Sequence, residues 1–302
     1  MRLGYTLPSL GRLAGPENLV RVAQRAEALG YHSLWVADRL LHPVRPRTPY
    51  PASADGVLPE VFKIAFDPVE TLTFVAAHTR RILLGTSVLN MPFYNPVVLA
   101  RRLATLDILS GGRLRVGLGQ AWSVDELEAV GVEPGERGAR ADEFIRVLKA
   151  LWGPDPVEFQ GSHFRVARSI VGAKPIQTPH PPIFLAGYVP PALRRAATVA
   201  DGWLPSSLPL EALATMLPAF QSLARHAGRD PSRLEVIAMM GVRVMAEPGG
   251  AGRGFLQGSA GEVRGDVARL KDLGVTELLA WGGGDTIDAY LADLERSRAA
   301  VD

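Results

Sequence analysis

Short apolar runs rich in β-branched residues alternate with longer stretches of helical spacing along almost the whole chain, the signature of βαβ units and a parallel sheet. The first unit sets the pattern. Residues 2–6 predict a strand, residues 17–29 carry apolar positions at helical spacing and stop at Gly30, a C-cap candidate, and Ser33-Leu34-Trp35-Val36-Ala37 predicts the next strand. Further strands are expected at 82–88, 114–118, 183–186, 202–204, 234–245 and 277–280, with helices near 68–78, 96–109, 137–151, 190–199, 209–227, 260–273 and 285–299. About eight strands and about eight helices predict an α/β fold, a (β/α)8 TIM barrel in one domain over 1–302, slightly longer than the ~250 residues usual for it. A doubly wound sheet would need a glycine fingerprint after the first strand, and Thr6-Leu7-Pro8-Ser9-Leu10 is not one.

Insertion loops are expected after strands 2, 4 and 7. Residues 39–66 form a proline-rich stretch, and residues 153–182 contain a small hairpin suggested by Val157-Glu158-Phe159 and His163-Phe164-Arg165. The run Gly249-Gly250-Ala251-Gly252-Arg253-Gly254 suggests a mobile cover. Long loops in a compact domain are usually lids or binding loops.

Composition narrows the function. The 33 basic and 31 acidic residues nearly cancel, leaving +2, so no polyanion-binding surface is indicated and nucleic acid is not an expected partner. The absence of cysteine excludes disulfides, thiolate metal sites and a cysteine nucleophile. No run is apolar and long enough for a membrane span, and the first residues lack a secretory pattern, so a soluble cytoplasmic protein is expected. The six histidines have no metal-ligand spacing, and the signatures of zinc proteases, α/β-hydrolases and P-loop proteins are missing.

In a barrel the residues just beyond each strand face the active site. Here these are Asp38-Arg39, Thr86-Ser87-Val88-Leu89-Asn90, Gly119-Gln120-Ala121-Trp122, Ala186-Gly187-Tyr188 and Pro205-Ser206-Ser207. Such a rim, rich in glycine and small hydroxyls and poor in titratable groups, suits a large planar cofactor better than a hydrolytic dyad. Trp35 and Trp203 lie in apolar strand contexts and are expected in the core, whereas Trp122 and Tyr188 lie beyond strand ends, where they can pack on a ring or substrate. Tyr50 and Phe66, from the first insertion, are the other candidates for the substrate pocket. Arg137 and Arg140 are read as exposed or ion-paired, and Ser259-Ala260-Gly261-Glu262 as a helix capping box.

The run Ala26-Glu27-Ala28-Leu29-Gly30-Tyr31-His32-Ser33-Leu34-Trp35-Val36-Ala37-Asp38 resembles the opening of the bacterial luciferase-like monooxygenase superfamily. Its further blocks are matched in order by Thr79-Arg80-Arg81-Ile82-Leu83-Leu84-Gly85-Thr86, by Asn95-Pro96-Val97-Val98-Leu99-Ala100, by Leu106-Asp107-Ile108-Leu109-Ser110-Gly111-Gly112-Arg113, by Pro181-Pro182-Ile183 and by Ala200-Asp201-Gly202-Trp203. The spacing is closer to the F420-dependent branch than to the luciferases.

The resemblance implies a barrel that binds the deazaflavin F420, or alternatively FMN, at the strand C-terminal ends. It implies that Asp38 meets the ring edge, against the alternative of an acceptor for loop amides. It also implies that Ser87-Val88 forms a non-prolyl cis peptide supporting the ring, and that Ala186-Gly187-Tyr188 contacts the phosphate-bearing tail. Gly119 would let the backbone approach the cofactor and Gln120 would offer it an amide. The alcohol-oxidising relatives carry a histidine and an acid where this chain has Arg39 and Gln120, and a guanidinium is no base near neutral pH. Arg39 and Gln120 are therefore the catalytic candidates only for holding an anionic substrate or stabilising charge. The expected activity is hydride transfer between F420 and a small organic substrate, with reduction preferred to alcohol oxidation. The rivals are an FMN-dependent two-component monooxygenase and a non-catalytic flavin-binding protein. A homodimer and a separate F420 or flavin reductase are possible partners.

Overall fold

The computed structural model describes residues 1–250 and 252–301. Eight parallel strands run as β1 (Arg2–Thr6), β2 (Ser33–Val36), β3 (Leu83–Thr86), β4 (Leu114–Gly119), β5 (Ile183–Leu185), β6 (Gly202–Trp203), β7 (Glu235–Gly241) and β8 (Glu277–Trp281). Each pairs with its neighbour in the chain order and β8 pairs back with β1, which closes the expected (β/α)8 barrel. The helices are α1 (Pro16–Ala28), α2 (Pro68–His78), α3 (Pro96–Ser110), α4 (Val124–Ala129), α5 (Arg137–Trp152), α6 (Pro190–Val199), α7 (Leu210–His226), α8 (Ala260–Leu273) and α9 (Ile287–Val301). Helix α2 starts where Asp67 accepts from the Val69 and Glu70 amides, and α3 where Asn95 accepts from those of Val97 and Val98; proline opens both. Gly111, at a left-handed φ of 71°, ends α3. Among the described residues no helix is long and apolar enough to cross a membrane.

Most apolar side chains fill the layer between barrel and helices, Trp203 among them. A second cluster, Trp35, Phe184, Leu204, Ile237 and Leu279, fills the barrel itself. Room for the Trp35 indole comes from Gly85 on the adjacent strand, where a Cβ would stand 2.3 Å from a ring carbon. Gly85→Ala is therefore expected to destabilise the fold by about 1–3 kcal/mol, through overpacking against a fully buried ring. An unchanged urea midpoint would contradict this packing. Below Trp35, at the strand N-terminal ends, Arg115 pairs with Glu235 at 2.7 Å and with Glu277 at 3.5 Å, while the Trp35 indole donates to Ser33 Oγ at 2.6 Å. The charges inside the barrel are thus at its floor, away from the strand C-terminal ends.

The insertions differ in kind from what their lengths suggest. Residues 39–66 leave β2 and return along the loop after β1, where Gly11 N donates to Ile64 O at 2.8 Å and Phe66 N to Ser9 O at 3.0 Å. The hairpin forms as expected from Val157–Gln160 and Arg165–Ser169. It is no lid, because it packs on α5, whose Glu143 accepts from the Ser162, His163 and Phe164 amides at 2.6–3.1 Å. The element that follows β4 directly is α4, which the sequence did not lead us to expect. The apolar run expected as one strand at 234–245 breaks after Gly241, and Arg243–Val244 pairs instead with Gln257–Gly258. Within the glycine-rich run, Gly249 N donates to Glu262 at 3.0 Å and Arg253 clasps Asp266. Ala251 lies outside the described residues.

Candidate active site

At the C-terminal ends of β2, β3 and β4 the rim is organised around Asp38, which is 8% exposed. Its Oδ2 accepts from Asn90 N at 2.8 Å, and the Tyr94 hydroxyl donates to the same carboxylate. Burial pushes the Asp38 carboxyl up to about 7, despite these hydrogen bonds, and the charges of Asp67 and Glu126 act in the same direction. Asn90 also donates from Nδ2 to Asp38 O at 3.3 Å and accepts from Ala121 N at 3.1 Å, so it ties the end of β2 to the loop after β4. Neither Asn90 nor Tyr94 was assigned a role from sequence. Asn90 stands close after a strand, which is a signal; Tyr94 carries none.

The Ser87–Val88 peptide is cis, as the resemblance implies. Val88 packs on the cluster inside the barrel and beside Gly119, where a Cβ would lie 2.5 Å from Val88 Cγ2. The side chain missing at Gly119 thus makes room for Val88. Gln120 is half-buried and its amide has no hydrogen bond within the chain among the described residues. The loop continues through Ala121, at a left-handed φ of 57°, and Arg137 holds Ala121 O at 3.2 Å. Arg137 was read as exposed or ion-paired; it braces the rim. Arg140 lies over the Phe164 ring.

After β5, Ala186 N continues the ladder to Leu118 O at 3.0 Å. Gly187 turns at a φ of 126°, and a Cβ there would meet Ala192 at 2.7 Å. Its carbonyl accepts from the Trp203 indole at 3.0 Å. Tyr188, 43% exposed, donates its hydroxyl to Ser206 O and so links the loops after β5 and β6. At the start of α8 the Ser259–Glu262 capping box forms, and its carboxylate stands at the helix N-terminus where an anion would otherwise bind.

Two expectations for side chains near the mouth are corrected. Arg39 does not present an exposed guanidinium, and its buried Nε and Nη2 make no hydrogen bond among the described residues. Its side chain is 6% exposed, pairs with Glu126 at 3.1 Å, and lies 5.2 Å from the Phe62 and 4.9 Å from the Trp122 ring centroid. Phe66 belongs to the outer wall, where it lines a shallow cleft with Leu19 of α1 and Phe74 of α2. The aromatic that joins Tyr50 and Trp122 is Phe62, with the Tyr50 ring 5.5 Å from each of the two others. Glu126, 1% exposed, also accepts from Leu40 N at 2.8 Å and Leu41 N at 3.2 Å. On the opposite side, a cleft of about 700 Å³ at the ends of β7 and β8 is lined by Gly241, Arg243, Met245, Trp281 and Gly283 among others. Trp281 was not singled out from sequence; its indole lies 3.2 Å from where a Cβ on Gly241 would be.

Comparison with known proteins places these features in context. The profile of the luciferase-like monooxygenase family matches residues 1–299. An uncharacterized protein of Mycobacterium tuberculosis is 30% identical over 283 residues, 92% of each chain. An F420-dependent glucose-6-phosphate dehydrogenase of Kineococcus radiotolerans is 32% identical over 242 residues, covering 78% of this chain and 66% of its own. Among solved structures, a monooxygenase of Streptomyces bottropensis superposes with a TM-score of 0.83 at 23% identity, over 100% of this chain and 98% of its own, a likeness of fold.

Proposed function

The chain belongs to the luciferase-like monooxygenase family, and from that premise we propose that it is an F420-dependent oxidoreductase moving a hydride between the deazaflavin and a small organic substrate. The observation that carries this reading is the buried Asp38 carboxyl beyond the end of β2, held by Asn90 N and the Tyr94 hydroxyl. Burial pushes that carboxyl up to about 7, and beyond the end of the neighbouring strand β3 Val88 packs on the apolar cluster inside the barrel.

The residues present fit a planar ring. Val88 offers it an apolar surface, Gln120 an unused amide, and Asp38 a carboxyl that can either donate or accept at neutral pH. The interior charges stay at the floor of the barrel. Tyr50, Phe62 and Trp122, whose rings contact one another, would exclude water from one side of the mouth. When bound, F420 supplies the carbon that carries the hydride. The chain's task is then to orient the substrate and to hold the proton that must follow the hydride in a reduction. We assign that proton to Asp38, because Arg39 cannot release one near neutral pH and is committed to Glu126. Ala186, Gly187 and Tyr188 would take the cofactor tail.

The test is a side-by-side titration with F420 and FMN, followed by intrinsic tryptophan fluorescence. F420 is expected to bind at least about tenfold more tightly, a difference of ~1.4 kcal/mol. Tighter binding of FMN would overturn the proposal in favour of a two-component monooxygenase supplied by a separate flavin reductase. Binding of F420 without hydride exchange for any substrate would point to a carrier.

A further inference from the structure

We infer that the wall of Tyr50, Phe62 and Trp122 around Arg39 selects a planar, uncharged substrate, and that Glu126 is the positioning residue that keeps this wall neutral. The inference takes from the proposed function only the position of the substrate at the rim.

Arg39 stands three residues beyond the end of β2, at the place where a free guanidinium would draw an anion into the mouth. Its charge is countered inside the protein by an ion pair, while Nε and Nη2 make no hydrogen bond among the described residues. Glu126 lies 3.1 Å from its Nη2, and rings stand at 5.2 and 4.9 Å from the guanidinium carbon. The other Glu126 oxygen holds the Leu40 and Leu41 amides, so the carboxylate cannot swing away without releasing the start of the insertion. Two further ties set the loop on α4: Val124 N donates to Thr48 Oγ1 at 3.1 Å and Arg47 N to Asp125 at 3.0 Å. The nearby Arg47 side chain is bound to Asp125 and Glu128.

An anion arriving here meets a guanidinium already paired with a desolvated carboxylate, and that carboxylate repels it. A flat neutral molecule meets ring surface instead. Tyr50 and Trp122 are both half-buried, their rings tilted by 59°, and aromatic pairs of this kind add to plain area burial. The wall therefore discriminates by charge as well as by shape.

The test compares two ligands of one shape, 2-naphthol and 2-naphthoate, by calorimetric titration at pH 7. The wild type is expected to bind the neutral naphthol at least about tenfold more tightly. Trp122→Ala should weaken naphthol binding by about tenfold through loss of ring contact. Glu126→Gln uncovers the Arg39 charge, and should narrow the naphthol to naphthoate ratio by at least about fivefold, a change that loosened packing alone would not produce. If that variant fails to fold, the wild-type ratio and Trp122→Ala decide. Equal or tighter binding of naphthoate by the wild type, or displacement of naphthol by glucose 6-phosphate, would overturn the inference. F420 is titrated in parallel. F420 binding without preference for naphthol overturns the wall and spares the cofactor reading; the preference without F420 binding does the reverse.

Discussion

Glu126→Ala is expected to cost the fold about 3–5 kcal/mol, since removing one partner of a buried ion pair leaves the other charge uncompensated in a medium that solvates it poorly. The Arg39 side chain is 6% exposed and packed between two rings, so water reaches it only if the insertion lifts away. The Leu40 and Leu41 amides lose their acceptor in the same substitution. Urea unfolding measures the loss, and trypsin cleavage after Arg47 should accelerate as the insertion detaches from α4. Adding Arg39→Met should recover part of the stability, because the pair costs more to break than to replace. A loss below about 1 kcal/mol would mean that Arg39 is hydrated and the pair is of the surface kind.

Asp38→Asn is expected to remove a pH dependence of similar size. In the folded chain burial holds this carboxyl at about 7, against an ordinary 3.8. Between those values the folded state binds a proton that the unfolded chain has released, so stability must fall as pH rises. The contribution is intact below about pH 4 and is lost as pH passes through about 7, by roughly 4 kcal/mol at most. Asparagine keeps an oxygen for Asn90 N and has nothing to ionise. The variant should therefore gain on the wild type between pH 5 and pH 8 in urea midpoint, while losing any proton transfer that depends on Asp38. Parallel pH profiles for the two proteins would remove Asp38 as the source.

The barrel was legible because strand and helix periodicities are local properties of the chain. The rim was legible for a related reason: Asp38, Val88, Gln120 and Tyr188 all stand within three residues of a strand end, so placing the strands placed them. Where local pattern was too short or continuous, the reading failed. Six residues of α4 hold less than two turns of periodicity, and the apolar run through Val242 and Val244 does not mark where β7 leaves the barrel for a side pairing. Phe62 and Phe66 lie in an aperiodic loop, and nothing in their spacing tells which one faces the mouth.

The sequence by itself thus determined the barrel, the order of its elements and the residues that its strands deliver to the rim. Only the tertiary structure decided what those residues do to one another. Arg39 meets a carboxylate 87 positions away, Asp38 is closed over by Asn90 and Tyr94, and Gly119 gives its space to Val88. Each of these depends on how loops from different strands cross at the rim. Burial then sets the outcome, because the same side chains in water would keep their ordinary charge and their freedom to meet a ligand.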